Sequence, residues 1–445
     1  MAAAMEKMYI AGVTGAGGAG FPTHVKLSAK ADTVLANGLE CEPLLRVDQQ
    51  IMEQKAAQVV EGMGIAMAET GAKQGIICLK EKYKQAAQNL QAAIKSSGLD
   101  IALKQIGSYY PAGDEQALVY EATGKIVPTG GLPLDAGAVV LNVSTLVQIS
   151  EAVKDRPVTH RYVTVTGAVK RPLTIQAPIG TAVRELIACA GWAGEPDEYA
   201  MILGGPAMGT VSRDWDSPLT KTLGGIILLP KAHSLIQKKT APLESQIRLS
   251  RSVCCQCNQC TQLCPRNMLG LDTAPHKAMR ALAYGDGSGL KPEEVLSCSQ
   301  CGVCTYFACN MGLMPSRIMG KLKEGILGEK RPFEKKPSKG VSRERAFMNL
   351  PADRLIGRLG LREYDLPAPM EREPLAVERV KIPLKQHIGA ACTPCVEEGQ
   401  MVSAGDCVGK VPDGQLGVPV HTGIAGKVHA VTRNYVEIHG KGGKT

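Results

Sequence analysis

The chain has 445 residues, 44% apolar and 21% charged, with a formal net charge of +9. That length predicts roughly two to four domains, and no apolar stretch reaches the roughly 20 residues of a membrane-spanning helix. Aromatic residues make up 4% of the chain, too few for a base-stacking nucleic-acid surface, and Met1–Ile10 has no secretory pattern, so the sequence reads as cytoplasmic.

From Met8 to Lys154 strand-like and helical runs alternate. Ile76–Leu79 reads as a buried strand. Tyr83–Lys95 reads as an amphipathic helix with Tyr83, Ala86, Leu90, Ala93 and Ile94 on one face. Val139–Val143 is a second buried strand, followed by a helix through Val153. Such alternation predicts an α/β layer of mostly parallel strands, placed at 1–156. Near Pro157 the pattern shifts to a compact α+β module, 157–235, with strands at Val163–Thr166, Met201–Leu203 and Ile226–Leu229 and a helix at Thr181–Ala190. A cysteine-rich helical region follows at 245–328. The run from Glu329 to Pro337 opens a basic stretch, 329–378, that reads as a solvated linker or as a docking segment for an acidic electron-transfer partner. The last segment, 379–445, is dense in Gly, Val and Pro with short strands and predicts a small β-barrel or sandwich.

Fifteen cysteines occur in the chain, nine of them between Cys254 and Cys309. In a reducing compartment that density points to metal rather than disulfides. Cys254, Cys257, Cys260 and Cys264, followed by Pro265, form a C-x2-C-x2-C-x3-C-P run. A tight loop with two-residue gaps aims three thiolates at three corners of an iron–sulfur cubane, and the fourth ligand comes from the distant motif. The second motif, Cys298, Cys301, Cys304 and Cys309, departs from the pattern, with four residues before Cys309 and Asn310 in place of proline. The expected sets are Cys254, Cys257, Cys260 and Cys309 for one [4Fe–4S] cluster, and Cys298, Cys301, Cys304 and Cys264 for the other. Zinc is the competing reading, although it has no use for the third C-x2-C step. Cys255 could exchange with Cys254 or stand as a spectator. Cys392 and Cys395 have redox-motif spacing but lie in a β-rich segment, and His387 and His421 lack a matching ligand set, so structural roles are expected for all four.

Near the start, Gly15-Ala16-Gly17-Gly18-Ala19-Gly20-Phe21-Pro22-Thr23 suits either a tight turn or a loop whose backbone N–H groups approach a phosphate. The segment resembles the flavin loop of the FMN-binding, NADH-oxidising subunit of respiratory complex I and of its relative RnfC, from the Rnf electron-transport complex. Asn37–Pro43, Tyr110–Leu118 and Asn142–Leu146 are similar to further motifs of those families, in the same order. Carried over, the resemblance implies FMN contacts from Gly15, Gly17, Gly18, Gly20, Lys26, Asn37 and Asn142. It implies nicotinamide-side roles for Glu40, Glu42, Asp114 and Glu115, with Glu40 and Glu42 as the catalytic pair; read without it, those two glutamates are ordinary surface carboxylates. Leu141 and Ser144 replace polar family residues.

Thr159–Pro230 resembles the soluble-ligand-binding β-grasp (SLBB) module, and Leu384–Gly389 through Gly426 resembles the barrel-sandwich module of RnfC, moved here to the C-terminal side. With that order the chain is most similar to the cobalamin reductases of propanediol-utilisation microcompartments. The resemblance implies a multidomain α/β protein: a Rossmann-like flavin domain, a β-grasp module, a helical bacterial-ferredoxin-type two-cluster domain and a barrel-sandwich module. It also implies FMN, two [4Fe–4S] clusters, NADH as donor and cobalamin as a visiting substrate, since no D-x-H-x-x-G corrinoid motif is present. Expected partners are a cobalamin adenosyltransferase and shell proteins of a bacterial microcompartment. An RnfC-like protein that hands electrons to ferredoxin, and a non-catalytic electron relay, are the alternatives.

Overall fold

Four parallel strands make the first sheet, in the order Ile101–Ile106, Gln74–Lys80, Thr33–Gly38, Ala138–Asn142. In the computed structural model, which describes residues 2–285, 289–329, 333 and 335–440, helices cover both faces of this sheet. Val34, Ala36, Ile77, Leu79, Val139 and Leu141 enter one core, and Leu35, Ile76, Cys78 and Val140 the other, which is why the strands read as unbroken apolar runs. The helix expected from Tyr83 spans Lys84–Ser97, buries Ala86, Leu90 and Ile94, and ends on Gly98 in the left-handed conformation at φ 66°.

From Thr33–Gly38 the chain steps outward to Gln74–Lys80 and Ile101–Ile106, then returns to Ala138–Asn142 on the opposite side of Thr33–Gly38. The crevice at the carboxyl ends of Thr33–Gly38 and Ala138–Asn142 is therefore a topological switch point, where open α/β sheets bind ligands. Asn37 and Asn142 are register partners there, and Asn142 caps the helix Val143–Ala152 that follows.

The second module is a five-stranded sheet in the order Leu173–Pro178, His160–Gly167, Gly225–Pro230, Tyr199–Leu203, Thr210–Ser212, with the helix Val183–Cys189 packed on it. Its two central strands are parallel and its other pairs antiparallel. Short helices carry the cysteine motifs between the longer Leu243–Val253, Pro275–Tyr284 and Pro315–Gly328.

The segment expected as a basic linker packs on its neighbours over its described residues. Lys336 bridges to Thr129 and Met370 to Thr174, Leu350–Pro351 pairs with Tyr109–Tyr110, and helix Ala352–Arg358 buries Leu355 and Ile356. Lys330, Arg331, Pro332 and Glu334 of the basic run lie outside the described residues. The last module is a sandwich of a four-stranded and a three-stranded sheet around Val380, Ile382, Val408, Val428, Val436 and Ile438. No helix among the described residues is long and apolar enough to cross a membrane.

Candidate functional site

A cleft of about 720 Å³ opens at the switch point, within the range of small-molecule sites. It is lined on the sheet side by Ala16, Gly17, Gly18, Asn37 and Asn142, and on the far side by the β-grasp loop Leu203–Thr210. Gly15 N–H donates to the Phe21 carbonyl and Thr14 bridges to Pro22, which closes the glycine segment into a loop. A Cβ on Gly17 would stand 3.1 Å from the Asn142 Cβ, whereas one on Gly18, at φ +151°, would meet nothing within 4 Å. The backbone thus presses against Asn142 on one side and faces open space on the other, beside the positive end of helix Val143–Ala152. That arrangement fits a flavin phosphate. Among the described residues the buried Ser144 hydroxyl, in the first turn of this helix, has no partner.

The remaining glycine-loop residues do other work. A Cβ on Gly20 would strike Thr222 at 2.8 Å and approach His387, so this glycine lets the flavin, β-grasp and C-terminal modules meet. Buried Arg161 donates to the carbonyls of Ala16 and Leu223 at 2.9 and 3.2 Å, fixing the loop from the β-grasp side. Lys26 pairs with Glu115 at 3.3 Å, and neither lines the cleft.

Four carboxylates converge nearby. Glu40, with backbone φ +34°, accepts from the Asp48 and Gln49 N–H groups at 3.0 and 3.3 Å. Asp48 accepts from the Asn142 amide at 2.8 Å. Burial raises the pKa of Glu40; burial and the Glu40 charge together raise that of Asp48, so the pair holds a proton more readily than free carboxylates. Glu42 lines the cleft, but both of its oxygens are engaged, by the N–H groups of Ala207 and Met208 and by the Tyr110 hydroxyl. Asp114 caps helix Glu115–Thr123 and pairs with Arg266 of the cysteine domain at 2.7 Å, a nearly buried bridge.

The cysteines separate into two groups. Burial raises the Cys260 thiol to about 12, with Cys309, Cys254 and Cys257 adding to the shift. Burial and neighbouring Cys298 raise Cys264 to about 12, and burial with Cys264 and Cys298 raises Cys301. Cys304 is raised by burial and by Cys298, Cys301, Cys264 and Cys260, so it stands where the groups adjoin. A metal cluster held by these groups would supply the positive charge their thiolate forms need. Tetrahedral zinc, with Zn–S near 2.3 Å, would draw its sulfurs to about 3.8 Å from one another. Among the described residues the only trio of ligand atoms within 4.8 Å is His429, Glu437 and His439. No three cysteine sulfurs among these residues stand at zinc spacing.

Both C-x2-C-x2-C loops turn the same way. Gln256 and Asn258 in the first, and Gln300 and Gly302 in the second, all have left-handed φ between 55° and 79°, at matching offsets from Cys254 and Cys298. Cys255 therefore corresponds to Ser299. The extra residue before Cys309 is absorbed by a π turn, Cys304–Ala308, closed by Cys309 N–H to the Cys304 carbonyl at 3.1 Å. Cys264, Cys298, Cys301 and Cys304 are buried, whereas Cys257 is exposed. Cys301 and Ser299 also line the cleft.

Sequence reasoning did not single out Asp48, Arg161, the Leu203–Thr210 loop, or the His429–Glu437–His439 trio. His387 and His421 are buried singly in the C-terminal module.

Four family models match the chain in succession: the Nuo51 FMN-binding domain at 8–151, the SLBB domain at 162–211, a 4Fe–4S dicluster domain at 253–314, and the RnfC barrel sandwich hybrid domain at 367–444. The chain is 42% identical to the cobalamin reductase PduS of Salmonella typhimurium, over 97% of its length and 95% of that protein. It belongs to the PduS cobalamin reductase family. Another member, from Citrobacter freundii, is 41% identical over the same shares. One component of the Na(+)-translocating ferredoxin:NAD(+) oxidoreductase complex of Acetobacterium woodii is 38% identical over 61% of this chain and 60% of its own. The chain is an oxidoreductase built on an FMN-binding domain and a 4Fe–4S dicluster domain.

Proposed function

We propose that this enzyme takes a hydride from NADH at the switch-point cleft and delivers single electrons to the corrin cobalt of cobalamin. One observation carries the reading: Cys301, from the buried thiol group, lines the same cleft as the glycine loop. FMN bound there would accept two electrons together and release them singly, and two [4Fe–4S] clusters would relay them. One NADH thus yields NAD+, a proton and two electrons, enough to take one cobalt from cob(III) through cob(II) to cob(I)alamin.

Gly15, Gly17, Gly18, Asn37 and Asn142 shape the flavin end. Gly20 supports the loop through His387 rather than by facing the cleft, and Lys26 acts only through its ion pair with Glu115. Glu40 and Asp48 hold a proton beside the reacting ring. Glu42 and Asp114 position the β-grasp loop and the cysteine domain around the nicotinamide end. The buried group Cys264, Cys298, Cys301 and Cys304 would hold the cluster that takes electrons from the flavin, and the outer group Cys254, Cys257, Cys260 and Cys309 the cluster that passes them on, with Cys255 a spectator. Product cob(I)alamin would go to an adenosyltransferase, inside a microcompartment, to recycle the cofactor for propanediol degradation.

The relatives' name supports cobalamin as acceptor, and the likeness to the ferredoxin:NAD(+) oxidoreductase component makes ferredoxin the natural comparison. An anaerobic assay of NADH oxidation with hydroxocobalamin or ferredoxin tests the reading. Cobalamin-dependent turnover is expected; turnover with ferredoxin alone would overturn it, as would no NADH oxidation by flavin-loaded protein.

A further inference from the structure

An open groove of about 470 Å³ lies beside the outer cysteine group, on the side of the cysteine domain where the polypeptide returns after Gly328. One wall is the first motif's short helix Gln259–Gln262 and the π turn Cys304–Ala308. The other is the returning strap, through Met348 and the end of helix Ala352–Arg358. Gln259 is the peptide neighbour of Cys260, and Asn310 of Cys309, so the groove borders the two thiols that close the outer group. The Asn310 amide donates to the Gln259 side-chain oxygen at 3.0 Å, which ties the two motifs together at the groove edge.

The lining has a particular chemistry. Gln259, Gln262 and Asn310 present three carboxamides, each able to donate and accept. Phe307 and Met348 provide an apolar floor, and exposed Arg358 brings a fixed positive fork. No carboxylate among the described residues lines the groove. A simple inorganic acceptor has no use for an apolar floor, and a basic protein would meet repulsion from Arg358. A corrinoid answers all three features. Its macrocycle has apolar faces, its rim carries primary amides, and its nucleotide loop carries one phosphodiester.

We infer that this groove is the corrinoid site. The carboxamides engage the rim amides, Phe307 and Met348 meet the ring face, and Arg358 pairs with the phosphodiester. The inference rests on the proposed cobalamin reading and adds where the acceptor sits: in a groove that shares no lining residue with the flavin cleft, with the strap as part of its wall. The two substrates then enter by separate openings.

The test uses the full chain, anaerobically reconstituted, with two substitutions at the groove, Gln262→Trp to fill it and Arg358→Glu to reverse its charge. Iron and flavin content report folding. Equilibrium dialysis with hydroxocobalamin, and with cobinamide, which lacks the nucleotide loop, measures binding without turnover. Gln262→Trp should weaken both ligands about tenfold. Arg358→Glu should weaken cobalamin about tenfold while changing cobinamide much less, because only cobalamin offers the phosphodiester. The KM for cobalamin should rise in parallel. Wild-type protein that reduces cobalamin, with both variants binding it unchanged, would overturn the groove and leave the functional reading standing. Wild-type protein that neither binds nor reduces cobalamin would overturn both.

Discussion

The Tyr110 hydroxyl lies 2.6 Å from the backbone carbonyl of Cys301 and 2.9 Å from a carboxylate oxygen of Glu42. One phenolic proton thus serves two acceptors at the point where three modules meet. Leu44 and Tyr110 of the flavin domain, Ala207 and Ile227 of the β-grasp module, and Cys301, Val303 and Tyr306 of the cysteine domain share one apolar core around it. The relative position of the flavin cleft and the buried thiols is therefore set by packing and hydrogen bonds of distant segments. A flexible tether would not hold the two sites in register.

Tyr110→Phe keeps the ring in that core but takes the hydroxyl donor from the Cys301 carbonyl, while the Glu42 oxygen keeps the Met208 N–H. A buried acceptor so orphaned costs about 1–3 kcal/mol. Urea unfolding of the reconstituted protein under anaerobic conditions should show a loss of that size with an unchanged m-value. A change below about 0.5 kcal/mol would mean that water reaches the Cys301 carbonyl.

Gly17→Val tests the flavin loop. Its Cβ would already sit 3.1 Å from that of Asn142, and the branched methyls must push the loop or the cap of helix Val143–Ala152 aside. FMN affinity should fall by at least about tenfold, roughly 1.4 kcal/mol. Iron content should not change, because the cluster cysteines all lie on other segments. Flavin retained at wild-type stoichiometry would remove the glycine segment from the binding site.

The two cysteine motifs were legible because cluster ligation is written into local spacing, and even the odd Cys309 gap has a local solution in the π turn. The parallel sheet was legible because its strands are buried on both faces and read as apolar runs. Asp48, Arg161 and the Leu203–Thr210 loop were not, since their partners lie far along the chain: Arg161 holds Ala16, 145 residues away, and Glu42 holds Ala207, 165 residues away. Nothing in the local sequence signals such a contact. The strap was hidden by its Lys- and Pro-rich beginning. Leu355, Ile356 and Leu359 further on have helical spacing, and all three are buried.

Cysteine substitutions separate ligands from bystanders. On the proposed two-cluster reading, Cys301→Ser should lower iron from about eight to about four atoms per chain, because one cubane would lose a corner ligand. Cys255→Ser should leave iron unchanged, since Cys255 occupies the place of Ser299 in the matching loop. Loss of iron in Cys255→Ser with retention in Cys254→Ser would reverse that alignment of the two loops.

The carboxylate pair makes stability depend on pH in a defined direction. Glu40 and Asp48 both have folded-state pKa values raised by burial, and Asp48 is raised further by the Glu40 charge. Below about pH 3, under both unfolded values, both are protonated whether the chain is folded or not, and they contribute no pH dependence. Above the unfolded values the unfolded chain releases protons that the folded protein keeps, so stability falls as pH rises until the folded values are passed. Asp48→Asn removes the like charge beside Glu40 and can still accept from the Asn142 amide. The variant should melt higher than wild type at pH 7 to 8, by a few degrees, with little difference below about pH 3. If the pair also holds the proton needed beside the flavin, the same variant should lower kcat for NADH oxidation and shift its pH profile. Higher melting with an unaltered pH profile would confine the pair to structure, and no gain in melting temperature would contradict its shared burial.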